Sequence, residues 1–146
     1  MMSRLGDLSM PDDVVINKVA SLERCVERIR IVYAGTDANL YQDLTAQDSI
    51  LLNLQRACEV SIDLAMHIVR KRRLGVPQDS REAFDLLQAH ALLAEPLATA
   101  MKRMVGFRNV AIHEYDKLNL DIVKSIIATK LDDILLFGKQ LLRSES

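Results

Sequence analysis

An all-α fold, an up-and-down bundle of about five helices, is what this 146-residue sequence predicts. Three observations carry that expectation. Apolar residues recur at helical spacing over long segments, most clearly in "DDVVINKVASLERCVERIRIVYA" (12–34). Breakers are scarce, with five glycines and three prolines. Aromatic residues make up only 4%, with no tryptophan, which disfavours strands and leaves an aliphatic core. An apolar fraction of 49% beside a charged fraction of 27% belongs to folded globular chains. Nothing repeats and no Gly/Ser-rich tract divides the sequence, so residues 1–146 read as a single domain.

The elements follow in order. In 12–34, Val15, Val19, Leu22, Val26, Ile29 and Tyr33 make one stripe. Asp12 and Asp13 favour the positive end of the helix dipole, and Gly35 closes the segment. "GTDANLYQDLTAQ" reads as a connection, with Thr45 and Asp48 at capping-box spacing. From there one long helix runs to Gly75, apolar on more than one face and so the central, most buried one. Asp79 and Glu82 repeat the capping-box spacing at the start of a shorter helix. Pro96 suits the first turn of the next, which carries "LLAEPLATAMKRMVGFRNVAIHEY". Asn119 is a candidate N-cap for a last helix, "DIVKSIIATKLDDILLFGKQLLR".

Bulk charge narrows the function. At a net charge of −1 no global field attracts nucleic acid, so an anionic ligand must be held by a local basic patch. Cys25 and Cys58 sit inside apolar helical patterns and read as buried free thiols. No Cys/His spacing suits a metal, and no cofactor motif is present. The first residues, "MMSRLGDLSMPDD", lack an apolar signal core, and no run approaches the roughly 18 apolar residues of a membrane span, so a reduced, cytoplasmic setting is expected.

The chemistry concentrates in "GFRNVAIHEY" (106–115). Arg108 is a permanent cation with a forked set of donors suited to phosphate. His113 titrates near pH ~6.5 and can give or take a proton near neutrality. Together they suffice for cleaving an RNA phosphodiester without a metal: His113 moves protons on the 2′-hydroxyl or the leaving 5′-oxygen, and Arg108 neutralises the charge building on phosphorus. Arginine and histidine on a bundle helix are also ordinary surface or interface residues. Geometry raises an objection as well, because five residues at about 100° each set Arg108 and His113 about 140° apart around a regular helix. A site built from both needs a distorted helix or a second chain.

The arrangement Arg, four residues, His, one residue, Tyr resembles the Rx4HxY motif of HEPN-domain proteins, in particular the HepT-type toxins. "RACEVSIDLAMHI" (56–68) is similar to that family's second-helix signature, and "GVPQDSREAFDLL" (75–87) to its next connection and helix. The resemblance spans essentially the whole chain. It implies a metal-independent endoribonuclease, the toxin of a type VII-like HEPN/MNT toxin–antitoxin pair, cutting RNA, with tRNA the expected substrate. It further implies a homodimer whose motifs meet in a cleft at the two-fold axis, with Arg108 and His113 catalytic and Asn109 their polar neighbour. Tyr115 matches the tyrosine that a minimal nucleotidyltransferase antitoxin modifies with AMP; added bulk and negative charge there would exclude RNA. The rival implication is a non-catalytic HEPN module that binds nucleotides or partners a nucleotidyltransferase.

Two secondary clusters remain. Glu59, Asp63 and His67 are spaced by four and form one polar stripe, either solvated or supporting the site by pairing Arg108 or fixing the His113 tautomer. Arg70, Lys71, Arg72 and Arg73 close the long helix, where cations suit its dipole, and are an alternative contact for RNA backbone or an acidic partner.

Overall fold

A computed structural model describes residues 12–113 and 119–145 of the chain. Among them are seven helices and no strand: α1 (Asp13–Tyr33), α2 (Asp37–Tyr41), α3 (Leu44–Lys71), α4 (Ser80–Ala89), α5 (Glu95–His113), α6 (Leu120–Thr129) and α7 (Leu131–Ser144).

The count exceeds five for two physical reasons. The predicted connection folds into the short α2, held because Asn39 Nδ2 donates to the Val32 and Tyr33 carbonyls at 3.1 and 3.0 Å while Leu40 is buried. The predicted last helix breaks at Lys130, which closes α6 and opens α7. Thr129 Oγ1 bonds back to the Ser125 carbonyl at 2.8 Å, a local bond that loosens the helical ladder. Asp132 and Asp133 then favour a fresh N-terminus.

Caps correct two further expectations. The N-cap of α3 is Asp43, whose Oδ1 accepts from Ala46 N at 3.0 Å, and not the Thr45/Asp48 pair. Its C-terminus turns at Arg73 (φ 54°) and not at Gly75, because Leu74 N–H closes on the Val69 carbonyl at 3.0 Å. Gly75 (φ 147°) lies beyond the turn, where an added Cβ would meet Leu86 at 3.0 Å. Two N-caps stand as expected. Asp79 Oδ1 accepts from Glu82 N at 2.9 Å, while Glu82 reaches back to Gln78 N at 2.7 Å. Asn119 accepts from Asp121 N at 2.8 Å.

Ion pairs fix the direction of each helix. At one pole Asp12, which caps α1, meets His67 and Lys71 at the end of α3 (2.7 and 3.2 Å), and Lys71 and Arg72 hold Glu145 after α7 (2.6 and 3.0 Å). At the other pole Arg30 of α1 pairs with Asp132 of α7 at 2.8 Å, and Lys124 of α6 with Asp37 of α2 at 2.7 Å. Hence α1 and α3 are antiparallel, as are α1 and α7, in an up-and-down bundle with α4 and α6 as short side pieces. The aliphatic core runs its whole length, with Leu22, Ile29, Leu54, Leu64, Ile68 and Met101 essentially inaccessible. Phe84 of α4 meets Phe137 of α7 at its centre, ring centroids 5.6 Å apart and tilted by 59°.

The pole at Asp12 is acid-sensitive. Its hydrogen bond to His67, helped by Lys71 and the Val14 and Val15 amides, holds its carboxyl well below the usual carboxylate range. A depressed folded-state value contributes stability that is complete above the unfolded value near pH ~3.9 and lost as pH falls through the folded one. Asp12→Ala is expected to cost about 1 kcal/mol at neutral pH, mostly as a lost cap, which lowers Tm by roughly 3 °C. Asp12→Asn keeps the cap and loses less. Melting curves across pH check the sign: wild type should converge on Asp12→Asn as pH falls below about 4.

Candidate functional site

The site residues predicted from sequence sit on α5 and α3. Arg108 is half-buried on α5, and its Nη1 donates to Asn109 Oδ1 at 3.2 Å. Its Nε is buried and has no hydrogen-bond partner among the described residues. A buried guanidinium N–H without an acceptor costs about 1–3 kcal/mol, so this donor is set up for an anion or an incoming polar group. Asn109 itself is exposed.

Helix α5 runs as α-helix without interruption from Glu95 to His113. That closes one of the two routes to a shared site: no distortion brings Arg108 and His113 onto one face, and the separation of about 140° stands. The His113 side chain and Tyr115 lie outside the described residues. Earlier on α5, Val110 borders a largely apolar groove of about 380 Å³. Met104, Phe107, Val110, Ile122 and Ile126 are among its lining residues.

Glu59 stands on α3 directly after the buried thiol of Cys58. Burial pushes Cys58 up to about 12, Glu59 adds to the rise, and Arg108 opposes it. The thiol is therefore uncharged near neutrality and is no nucleophile. Cys25 and Cys58 are buried free thiols. Glu59 Oε1 accepts from Gln55 Nε2 at 3.2 Å. The predicted stripe divides at this point: Glu59 and Asp63 line a groove between α1 and α3, Asp63 pairing with Lys18 at 3.5 Å, whereas His67 turns to Asp12.

The basic run divides too. Lys71 and Arg72 are engaged in the ion pairs that hold Glu145, whose side chain is only 3% exposed. Arg70 and Arg73 are exposed, with no ion pair among the described residues. The structure thus keeps Arg108 and Asn109 together, sets Glu59 in the groove between α1 and α3, and places 70–73 at the pole where Asp12 and Glu145 are held. Sequence reasoning missed three arginines, Arg24 and Arg28 of α1 and Arg56 of α3, which share the groove with Glu59. The signal for the first two was their spacing of four; nothing in the sequence shows that they face Arg56. Among the described residues no group of three or more His, Cys, Asp or Glu is placed to hold a metal ion, and no helix is long and apolar enough to cross a membrane.

Known proteins share this fold. The family model described as ribonuclease HepT-like matches residues 22–141. The mRNA nuclease HepT of Shewanella oneidensis is 49% identical over 122 residues, 84% of this chain and 91% of that protein. The tRNA nuclease HepT of Aphanizomenon flos-aquae is 31% identical over 88 residues, 60% of each. A solved structure of a tri-AMPylated Shewanella oneidensis HEPN toxin in complex with MNT antitoxin superposes with a TM-score of 0.84 at 46% identity, covering 91% of this chain and 98% of that one. A second, of a toxin–antitoxin with AMP-PNP, gives 0.85 at 45% identity, covering 91% and 99%. With the seven-helix bundle and the Arg108–His113 motif in place, these likenesses make the chain a member of the HepT-like ribonuclease family.

Proposed function

We propose that this protein is the toxin of a HEPN/MNT toxin–antitoxin pair, an endoribonuclease that acts as a homodimer and is silenced by AMPylation of Tyr115. The observation that carries the reading is the orphaned Nε of a half-buried Arg108 inside the Rx4HxY motif. A phosphate, or a group from a second copy, supplies the acceptor that this donor lacks.

In the proposed reaction His113 takes the proton from a ribose 2′-hydroxyl as its oxygen attacks the adjacent phosphorus. The P–O5′ bond breaks, and the proton passes to the leaving 5′-oxygen. Arg108 holds the non-bridging oxygens as negative charge builds on them. The steps use only these side chains and end in a 2′,3′-cyclic phosphate. Because Arg108 and His113 stand on different faces of one uninterrupted helix, each site takes one group from each copy. The apolar groove beside Val110 and Ile122, which are 36% and 54% exposed, offers the face for that second copy. The antitoxin, a nucleotidyltransferase, adds adenylate at Tyr115, and its charge and bulk close the cleft to RNA.

The two HepT relatives are named for mRNA and for tRNA, so the assay offers both. Unmodified wild type is expected to cut RNA and leave cyclic phosphate ends, and His113→Ala to leave RNA intact over the same time course. If His113→Ala cuts at the wild-type rate, the assigned chemistry is wrong. Cutting of mRNA with tRNA spared would overturn the tRNA expectation alone.

A further inference from the structure

The seam between α1 and α3 holds a groove of about 610 Å³ that the reaction above does not use. Ser21, Arg24 and Arg28 reach it from α1, and Asn53 and Arg56 from α3, with Cys25 and Val60 as apolar floor. Arg24 and Arg28 are one turn apart on the same face, so their stems rise about 6 Å along the helix. All three arginines are exposed. Arg24 donates to Ser21 Oγ at 3.0 Å, a neutral partner. Neither Arg28 nor Arg56 has a hydrogen bond or ion pair among the described residues. The acidic lining is tempered: Asp63 is held by Lys18 at one end, and Glu59 by the Gln55 amide.

We propose that this groove is a phosphate-backbone track for single-stranded RNA, carrying the strand past the motif. The inference rests on the ribonuclease reading above. Guanidinium forks one helical turn apart suit successive phosphates. No aromatic residue lines the groove, so bases find nothing to stack on, and recognition here is of backbone and not of sequence. The α3 wall of the track, which carries Arg56, belongs to the helix that also packs against α5, the helix of Arg108. In a chain with net charge −1, such a local strip is what electrostatic capture of RNA requires.

The test uses full-length protein carrying His113→Ala, so that RNA survives, and a labelled mixed-sequence single strand of about a dozen nucleotides. Fluorescence anisotropy at several salt concentrations is expected to show Arg28→Ala/Arg56→Ala binding about 10–100-fold more weakly at low salt. The log–log salt slope should fall by about 1.4, two phosphates at roughly 0.7 each. Arg28→Lys/Arg56→Lys should retain most of the affinity, and Arg143→Ala on α7 all of it. With His113 restored, the alanine pair should raise KM for RNA and change kcat by less than about twofold, since uniform binding is what it loses. Unaltered affinity and slope would overturn the track. So would RNA binding that persists while the alanine pair falls apart to monomers in sedimentation or loses its antitoxin, because the groove would then belong to a protein interface. A wild type that neither binds nor cuts RNA would instead bring down the ribonuclease reading itself.

Discussion

Arg108→Ala is expected to lower the rate of RNA cleavage by roughly 10³-fold while leaving the fold intact, the range seen when one preorganised charge-stabilising group is removed. The loss should fall on kcat, because Arg108 meets charge that develops only as the phosphorus is attacked. Stability should hold or rise slightly. The side chain keeps a buried donor without an acceptor, and that cost of about 1–3 kcal/mol disappears with it. Arg108→Lys tests the geometry of the fork: it keeps the charge but cannot hold two oxygens in one plane, so it should recover only part of the rate. Single-turnover kinetics beside thermal melts separate the outcomes. A large drop in Tm for Arg108→Ala, with activity falling only as far as the folded fraction falls, would make the residue a structural one.

The largest loss of stability is expected at Phe137. It is fully buried on α7 and packs against Phe84, at the point where α4 and α7 meet in the core. Phe137→Ala removes transfer free energy and leaves a cavity, together about 3–5 kcal/mol. The ring pair accounts for about 0.5–1.5 kcal/mol of specific contact within that figure. For a chain of this length that lowers Tm on the order of 10 °C. Phe137→Leu fills most of the space and should cost far less. Neither ring belongs to the motif, so kcat measured well below the melting point should be unchanged. A Phe137→Ala protein melting within about 2 °C of wild type would mean that this core packing is wrong.

Much of the bundle was legible because its evidence is local. The stripe from Val15 to Ile29 is a property of one segment, and all of those residues are buried. Asp79 and Asn119 cap their helices by contacts two or three residues long, and a sequence shows such spacings directly. The misses have a different character. The apolar phase passes from Ile126 and Ile127 to Leu131 and Ile134 without a visible slip, so periodicity could not show the break at Lys130. Asp43 outcompeted Thr45 because the chain entering from α2 reaches the extended geometry that an N-cap needs two residues earlier. The site divides in the same way. The motif is local, a spacing within one short segment, and so is visible in the sequence. Lys71 and Arg72 clasped to Glu145, and the arginines facing each other across α1 and α3, are all pairings between distant segments. Sequence spacing within one helix carries no information about which face its neighbour covers.

One continuous helix from Arg108 to His113 also bears on who controls the enzyme. In the proposed two-copy site, a chain with an adenylated Tyr115 still pairs with unmodified chains, and every cleft it helps to build is spoiled. Inactivation is then dominant over activity. An antitoxin present below the concentration of its toxin can silence more molecules than it has marked, and toxicity returns only when newly made, unmarked chains outnumber the marked ones enough to find each other.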